Sequence, residues 1–468
     1  MNAYSSPQEL FDSLRGVVDL ADGRVRVVDE QRLRSHLLDD VVYSAVFGDE
    51  EVKAAARWLI WESGQQLGVY PSSIQSLYEA RGRGDVGVDF TVPAMNLRAL
   101  TYDASRAAIR AALSHNVGAF IFEIARSEMG YTDQRPEEYT IVHIAAALRE
   151  GFRGPLFVQA DHFQVNRKRW EKDQAAEIDG VRKLIDEAIQ GGFYNIDIDT
   201  STLVDLSQPT EEAQQRNNFV SAAELTAHVR SREPQGITIS VGGEIGEVGG
   251  RNSTPEELNA FMKGYLDELH RRSPEMKGIS KISIQTGTEH GGVVLPDGSI
   301  AQVALDFEVL RTLSRMARRQ YGLAGAVQHG ASTLPDEAFH KFVQSECCEV
   351  HLATAFQNMI YGSPHFPADL RDAMYGYLKQ EFADQKKAGQ TEEQFIYKTR
   401  KNAFGPFKRQ LWDLPEATRA ALGRELEAKF AFYYQQLSVT NTRQMVDQWV
   451  KPVPVARPMP GGLEAVAG

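Results

Sequence analysis

The sequence predicts a (β/α)₈ barrel with an N-terminal helical segment and a helical C-terminal extension. Short apolar segments rich in β-branched residues alternate with longer stretches of helical periodicity, a pattern typical of parallel strands joined by helical crossovers. Eight such segments lie between residues 88 and 352, which matches the strand number and approximate length of a (β/α)₈ barrel. A doubly wound open sheet is the alternative. The candidate strands are residues 88–95, 118–124, 156–160, 194–198, 237–241, 281–285, 324–328 and 349–352.

The flanking segments differ from this rhythm. Apolar residues before position 85 recur at helical spacing, and the charged, glycine-containing run 80–85 predicts a linker. Thr254, Pro255 and Glu257 form the sequence signature of a capped helix start. The predicted divisions are an N-terminal helical extension (1–85), the barrel (86–362), a helical C-terminal extension (363–452) and a Pro/Gly-rich flexible tail (453–468).

Composition narrows the function classes. The chain has 468 residues and a formal net charge of -12, a balance that disfavours nucleic-acid binding. The short basic run 167–169 is interpreted as a solvated helix face. The adjacent pair Cys347 and Cys348 predicts free thiols in a reducing compartment, since neighbouring strand residues face opposite ways. Without an apolar run of about 20 residues or a signal-like N-terminus, we expect a soluble, cytoplasmic protein without membrane partners.

Polar and titratable residues gather where the candidate strands end. Because active sites of (β/α)₈ barrels lie at the C-terminal ends of the strands, these residues are expected to share one mouth. The positions are Asn96, Glu123, Asp161, His162, Asp197, Asp199, Glu244, His290, His329 and Thr354.

Three of these residues, His162, His290 and His329, predict a metal centre. Three imidazoles suit Zn²⁺ best and leave a coordination position for substrate, although Mn²⁺, Fe²⁺ or Co²⁺ are also compatible. The alternative is that each histidine is an ordinary polar residue of a βα loop. Asp161 beside His162 is the candidate general acid/base. Its alternative roles are a helix N-cap or a partner that orients a ligand histidine.

Glycine clusters accompany the histidines, at residues 246–250, 290–292 and 329–332. Glycine at a βα turn lets backbone N–H groups approach an anion, and the next helix adds a favourable dipole. Ser332 and Thr354 are therefore candidate phosphate donors. The alternative is that the glycines only form turns.

These motifs, taken in order, resemble the class II, metal-dependent ketose-bisphosphate aldolases, typified by fructose-bisphosphate aldolase. The matching pieces are FTVPAMN (90–96), VQADH (158–162), GGEIGEVGG (242–250), GTEHG (287–291) and QHGAS (328–332).

The resemblance implies a role for each matching residue. Asp161 would handle the aldol hydroxyl proton, and Glu244 would be a carboxylate near the metal. A sugar phosphate, most simply fructose 1,6-bisphosphate of glycolysis and gluconeogenesis, would be the substrate, and a homodimer or homotetramer the assembly. The metal ligands implied are His162, His290 and His329; the substrate, phosphate and monovalent-cation contacts implied are Asn96, Gly250, Gly291, Gly330, Ser332 and Thr354.

Two departures from the family pattern bear on the substrate. Arg251 follows the paired glycines where the family often has acidic residues, and we hypothesise that it contacts a phosphate or sulfonate. His351 stands where the strand-eight motif usually has Asn. An aldolase for another ketose, phosphorylated or not, and a non-catalytic barrel subunit supporting a partner aldolase are the alternatives. No Schiff-base lysine is expected, because Lys281 begins its strand at the opposite end of the barrel.

Overall fold

The computed structural model describes residues 1–21, 23–246, 251–287, 295, 305–461 and 463. Across these residues, eight consecutive parallel strands close into a barrel, which confirms the predicted (β/α)₈ architecture over the open sheet. The barrel strands are β4 (Val92–Asn96), β5 (Ile121–Ala125), β6 (Gly154–Gln164), β7 (Asn195–Asp199), β8 (Ser240–Glu244), β9 (Lys281–Ile284), β10 (Ala326–Gln328) and β11 (Glu349–Leu352). Three further strands precede them: β1 (Val18–Ala21), β2 (Arg24–Val27) and β3 (Val69–Pro71).

Helices surround the barrel and form most of both extensions. The longer helices of the N-terminal part and the barrel are Leu38–Phe47, Glu50–Gln66, Gln75–Arg83, Thr101–Ser114, Pro136–Glu150, Gln174–Gln190, Glu211–Arg232, Pro255–Arg272, Phe307–Tyr321 and Thr354–Gly362. Those of the C-terminal extension are Ala368–Glu381, Glu392–Thr399 and Glu416–Gln436. Shorter helices are Pro7–Ser13, Glu30–Arg32, Arg126–Tyr131, Arg167–Lys172, His340–Gln344, Lys408–Trp412 and Arg443–Trp449, with single turns at Ser201–Leu203, Ala331–Thr333, Asp336–Ala338, Ala383–Gln385 and Arg400–Ala403 and a π-helical turn at Leu33–Leu37.

All eight predicted strands overlap strands of the barrel. Every residue of β4, β5, β7 and β8 is buried, as expected for strands covered by helices outside and side chains inside. The predicted helix start is also confirmed: Thr254 and Glu257 form a reciprocal capping box with Pro255 in the first turn.

The N-terminal segment is not wholly helical. β1 and β2 form an antiparallel hairpin, and β3 adds to the start of β6 outside the barrel. Alternating apolar residues on either side of Asp22-Gly23, Val18 and Leu20 before it and Val25 and Val27 after it, are a hairpin signal that the helical interpretation of this segment omitted. Gly23 has φ +70°, which a residue without a side chain adopts readily.

The prediction of a linker at residues 80–85 is wrong, because Arg81 docks this segment against the barrel. The helix Gln75–Arg83 includes most of the run, and the Arg81 side chain is fully buried. Its Nε donates to Ala324 O at 3.1 Å and its Nη1 to Phe90 O at 2.8 Å. A buried guanidinium is stable here because backbone carbonyls accept its hydrogens.

The C-terminal chain packs back onto the barrel and the N-terminal helices. Tyr434 Oη, in the helix Glu416–Gln436, donates to Ala108 O at 3.2 Å. The beginning of the tail predicted to be flexible (453–468) is packed as well: Trp61 Nε1 donates to Val455 O at 2.7 Å, and Arg457 lies 3.6 Å from the centre of the Trp61 ring. Residues 464–468 lie outside the described residues.

Both cysteines are buried free thiols, as predicted. Among the helices that the structure describes, none has the length and apolar character needed to cross a bilayer.

Candidate active site

A cleft of about 710 Å³ opens at the C-terminal ends of the barrel strands. The structure therefore brings together residues from strands far apart in the chain, as the barrel prediction requires. The predicted site residues that line this cleft are Asp161, His162, His329, Gly330, Ser332 and Thr354.

A bulge in β6 lets two consecutive residues face the cleft. The pairing register between β6 and β7 shifts between Ala160 and Phe163, and His162 has φ +41°. In a regular strand Asp161 and His162 would point to opposite faces, whereas a bulge re-aims one of them. The strained conformation of His162 thus explains how both side chains reach the mouth.

His162 is surrounded by carboxylates. Its Nδ1 lies 3.0 Å from Asp199 Oδ2 and 3.3 Å from Glu244 Oε2, while its Nε2 lies 3.7 Å from Asp161 Oδ1. Burial alone would lower the pKa of His162, but Asp161 and Glu244 outweigh it and raise that pKa well above its usual value. Glu244 therefore lies beside His162, a predicted ligand.

His329 lies close to both Asp161 and His162. The rings of His162 and His329 are 4.0 Å apart between centroids, and His329 Nδ1 is 3.8 Å from Asp161 Oδ1. The opposite nitrogen, Nε2, lies 2.9 Å from Ser283 Oγ, which sets the orientation of the ring. Asp161, His162 and His329 thus offer ligand atoms that all lie within 4.8 Å of one another.

The donors fit a divalent cation. Two imidazoles and a carboxylate are ligands that Zn²⁺ and related ions accept. Burial, together with the neighbouring Asp199, raises the pKa of Glu244 to about 7. Burial, together with Asp161, raises the pKa of Glu123 to about 8. Several buried carboxylates at one mouth repel one another, and a cation among them would relieve that repulsion.

Two predicted substrate-binding residues in the described part of the chain, Asn96 and Arg251, do not line the cleft. His290, Gly250 and Gly291 lie outside the described residues. Arg251 does not line the cleft: its Nη2 forms an ion pair with Glu257 Oε1 at 2.6 Å, at the start of the helix Pro255–Arg272. Asn96 is buried behind the cleft wall and donates from Nδ2 to Glu128, so its position suits a supporting role.

Two helical turns begin at the predicted phosphate residues. Gly330 has φ +70° and precedes the turn Ala331–Thr333, and Thr354 is the first residue of the helix Thr354–Gly362. Ser332 Oγ accepts a hydrogen bond from the Ala353 N–H at 2.6 Å, which ties the two turns together. Backbone N–H groups at such starts favour anions.

Cations that we did not assign from the sequence also line the cleft. Arg98 pairs with Glu128 at 2.6 Å, and Arg126 pairs with Glu177 at 2.6 Å. Three others form no ion pair with any described carboxylate: Arg169, Lys398 and Lys401. Arg169 was interpreted as part of a solvated face, and no local pattern in the C-terminal extension indicates that its two lysines reach the mouth.

A further histidine that we did not assign to the site, His351, also faces the cleft. Its ring lies 4.0 Å from that of His329 between centroids, and its Nδ1 lies 3.2 Å from Asp161 Oδ1. The sequence signal that could have identified His351 was its replacement of the Asn that the family's strand-eight motif usually has.

Below the cleft, Lys281 joins a buried polar network. Lys281 Nζ lies 2.9 Å from Asp197 Oδ1 and contacts Glu349, and it donates to Gln159 Oε1 at 2.8 Å. Burial would lower the pKa of Lys281, but Asp197 and Glu349 outweigh it and raise the pKa above its usual value. Lys281 is therefore a buried cation at the first residue of β9, held between two carboxylates below the cleft.

Comparison with protein families agrees with this geometry. The family model described as fructose-bisphosphate aldolase class-II matches residues 87–410. The chain belongs to this family. No curated protein matches the aldolase-family chain described here.

Solved structures similar to this class II aldolase-family chain are distant in sequence. A probable tagatose 6 phosphate kinase from Sinorhizobium meliloti 1021 is 17% identical with a TM-score of 0.50, covering 81% of this chain and 96% of its own. A fructose-bisphosphate aldolase from Campylobacter jejuni is 15% identical with a TM-score of 0.46, covering 78% and 94%. The YdjI aldolase from Escherichia coli K12 is 14% identical with a TM-score of 0.38, covering 73% and 98%. The first of these supports the shared fold.

Proposed function

We propose that this chain is a metal-dependent class II aldolase that reversibly cleaves a ketose bisphosphate. The first substrate to consider is fructose 1,6-bisphosphate, which yields dihydroxyacetone phosphate and glyceraldehyde 3-phosphate. The observation that carries the proposal is the convergence of Asp161, His162 and His329 in one cleft of a chain from this family.

His162 and His329, with His290 as the third ligand implied by the family resemblance, would hold the divalent ion. When bound, the ion acts as a Lewis acid that polarises the ketose carbonyl. Zn²⁺ suits these donors best, and Mn²⁺, Fe²⁺ or Co²⁺ would also be accepted. Glu244, 3.3 Å from His162, would support or replace a ligand. A monovalent cation near the phosphate and a cytoplasmic homodimer or homotetramer complete the proposal.

Asp161 would take the proton from the C4 hydroxyl. As that proton leaves, the C4 oxygen becomes the carbonyl of the departing aldehyde and the C3–C4 bond breaks, with its electron pair remaining on the C3 fragment. That fragment then takes up a proton at C3 and becomes dihydroxyacetone phosphate. In the reverse direction Asp161 returns the proton to the new hydroxyl. A carboxylate that is 6% exposed, next to a cleft, exchanges protons with substrate rather than with bulk water.

Two groups of anion-binding residues support a bisphosphate. Gly330, Ser332 and Thr354 lie at helical starts and would bind the phosphate of the ketone half. Arg169, Lys398 and Lys401 would bind the phosphate of the aldehyde half, since each lines the cleft without an ion pair to a described carboxylate.

Another ketose remains the second candidate, favoured by His351 in place of the usual Asn. Tagatose 1,6-bisphosphate, the C4 epimer, is the most direct alternative. A non-catalytic subunit is less well supported, because such a role does not require Asp161 beside two histidines.

The test is cleavage of both bisphosphates by the purified protein, followed by a coupled triose-phosphate assay with and without EDTA. Activity that EDTA abolishes, that a divalent ion restores and that Asp161→Asn lacks would support the proposal. Cleavage that EDTA leaves unchanged would contradict metal dependence. A metal-containing protein that cleaves neither sugar would contradict the substrate, and a metal-free inactive protein would favour the non-catalytic subunit.

A further inference from the structure

His351 is held between carboxylates at both of its ring nitrogens. Its Nδ1 lies 2.9 Å from Glu123 Oε2 and 3.2 Å from Asp161 Oδ1. Its Nε2 lies 2.8 Å from Glu349 Oε1. The side chain is buried, and a hydrogen on each nitrogen would satisfy a carboxylate on each side of the ring.

The Glu349 end of this contact is anchored at the base of the barrel. Glu349 is fully buried and accepts hydrogen bonds from Gln159 Nε2 at 2.8 Å, from Tyr78 and from Lys281. Tyr78 belongs to the helix Gln75–Arg83, which precedes the part of the chain that the family model matches. The Nε2 end of the His351 ring is therefore fixed by residues that do not line the cleft.

Asp161 presents the same oxygen, Oδ1, to three imidazoles. His162 and His329 lie 3.7 Å and 3.8 Å from it, whereas His351 lies 3.2 Å from it. If His162 and His329 use ring nitrogens to bind the ion, the His351 contact is the one of the three that continues as a hydrogen bond. That bond limits rotation of the carboxylate about its Cβ–Cγ axis.

We propose that His351 is a positioning residue for Asp161: its Nδ1–H orients the carboxylate that takes the C4 hydroxyl proton. This inference rests on the proposed aldolase function. The aldolase step loses rate steeply when a reacting group is displaced, and an error of about 1 Å can cost about 100-fold.

Two amide substitutions test the two ring nitrogens of His351 separately. In His351→Asn the amide nitrogen can occupy the position of Nδ1 and keep the contact with Asp161. In His351→Gln the amide nitrogen reaches the position of Nε2, which keeps the contact with Glu349 and loses the one with Asp161. The two variants are both neutral and polar, so a difference between them reports on which contact matters.

The experiment compares these variants in two reactions of the metal-loaded protein. Ketose cleavage requires removal of the C4 hydroxyl proton. Dihydroxyacetone phosphate has no such hydroxyl, so exchange with deuterated water at its hydroxymethyl carbon, which corresponds to C3 of the ketose, does not require that step. We expect His351→Gln to lower kcat for cleavage about 10- to 100-fold, with KM and the exchange rate within about twofold of wild type. His351→Asn should retain more of the cleavage rate than His351→Gln.

Folding and metal content are checked by circular dichroism, thermal unfolding and elemental analysis. The double variant Asp161→Asn/His351→Gln should be no slower in cleavage than Asp161→Asn, because the two residues act as a unit. Equal losses in cleavage and exchange, or multiplicative losses in the double variant, would overturn the positioning role of His351 but not the proposed aldolase function. Wild-type protein that performs neither reaction would overturn the proposed function and this inference with it.

Discussion

His162 Nδ1 and Asp199 Oδ2 lie 3.0 Å apart at the mouth of the barrel. Asp199 is itself fixed by Gln164 Nε2 at 2.6 Å and by Ser201 Oγ at 2.7 Å. Burial by itself would raise the pKa of Asp199. The contacts with His162, Ser201 and Gln164 outweigh burial and lower that pKa below its usual value. A carboxylate that holds one nitrogen of an imidazole directs the other nitrogen, and in metal sites it increases the basicity of the ligand.

We therefore expect Asp199→Asn to weaken binding of the divalent ion about 10- to 100-fold without unfolding the protein. The measurement is competition between the protein and a chelating indicator dye. Asp205→Asn is the matched control, because Asp205 follows the same strand and contacts Ser207 and Gln208 rather than the histidines. Equal metal affinity of wild type and Asp199→Asn would show that the contact does not tune the site.

The cationic residues from the C-terminal extension should determine affinity for the distal phosphate. Lys398→Ala with Lys401→Ala should raise KM for the bisphosphate about tenfold or more, because charge-assisted hydrogen bonds to phosphate are lost. The same variant should have little effect on cleavage of fructose 1-phosphate, which lacks that phosphate.

The control for the two lysines is Lys379→Ala. Lys379 belongs to the same extension and pairs with Glu392 at 2.6 Å on the surface. If KM for the bisphosphate rises no more in the lysine double variant than in Lys379→Ala, the distal phosphate lies elsewhere.

Lys281, which lies below the cleft, should contribute strongly to the stability of the protein. Lys281→Met removes the cation between Asp197 and Glu349, and leaving buried carboxylates without it should cost about 3–5 kcal/mol of unfolding free energy. Denaturant unfolding followed by circular dichroism measures this. The surface variant Lys183→Met, which breaks an exposed pair with Asp179, should leave the unfolding midpoint nearly unchanged. Similar midpoints for both variants would refute the expected difference.

The packed beginning of the C-terminal tail should also contribute to stability. Arg457→Ala removes the contact with the Trp61 ring and the 2.9 Å ion pair with Glu137. We expect a loss of about 1–2 kcal/mol, measured as a lower thermal midpoint. Arg319→Ala, at an exposed position of the helix Phe307–Tyr321, is the control and should leave the midpoint unchanged. A tail that does not stabilise the protein would give equal midpoints.

The comparison of sequence and structure is clearest at the strand ends. Asp161, His162 and His329 could be placed at one mouth from the sequence because parallel strands of a barrel bring their C-terminal ends together. The roles of Asp199 and His351 could not be assigned in that way. Which polar side chains meet across the barrel depends on the stagger between strands, and β6 adds a bulge that shifts that stagger by local geometry.

In the two terminal extensions, too, some features could be predicted from the sequence and others could not. Helical periodicity identified most of their helices, but it did not indicate that Arg81 caps carbonyls at the base of the barrel or that Lys398 reaches its mouth. These contacts join segments separated by hundreds of residues. The spacing of charged residues along one helix carries no information about which distant carbonyl or cleft that helix will meet.

The sequence by itself determined the barrel class and its strands, because periodicity and residue type act locally and repeat along the chain. The resemblance carried by its strand-end motifs indicated the class II aldolase family. The tertiary structure decided which carboxylates surround each imidazole, that Arg251 pairs with Glu257 outside the cleft, and that the C-terminal extension supplies cations to the mouth. The physical reason is that burial and ion pairing are properties of a place in the fold, created only when distant segments close around it.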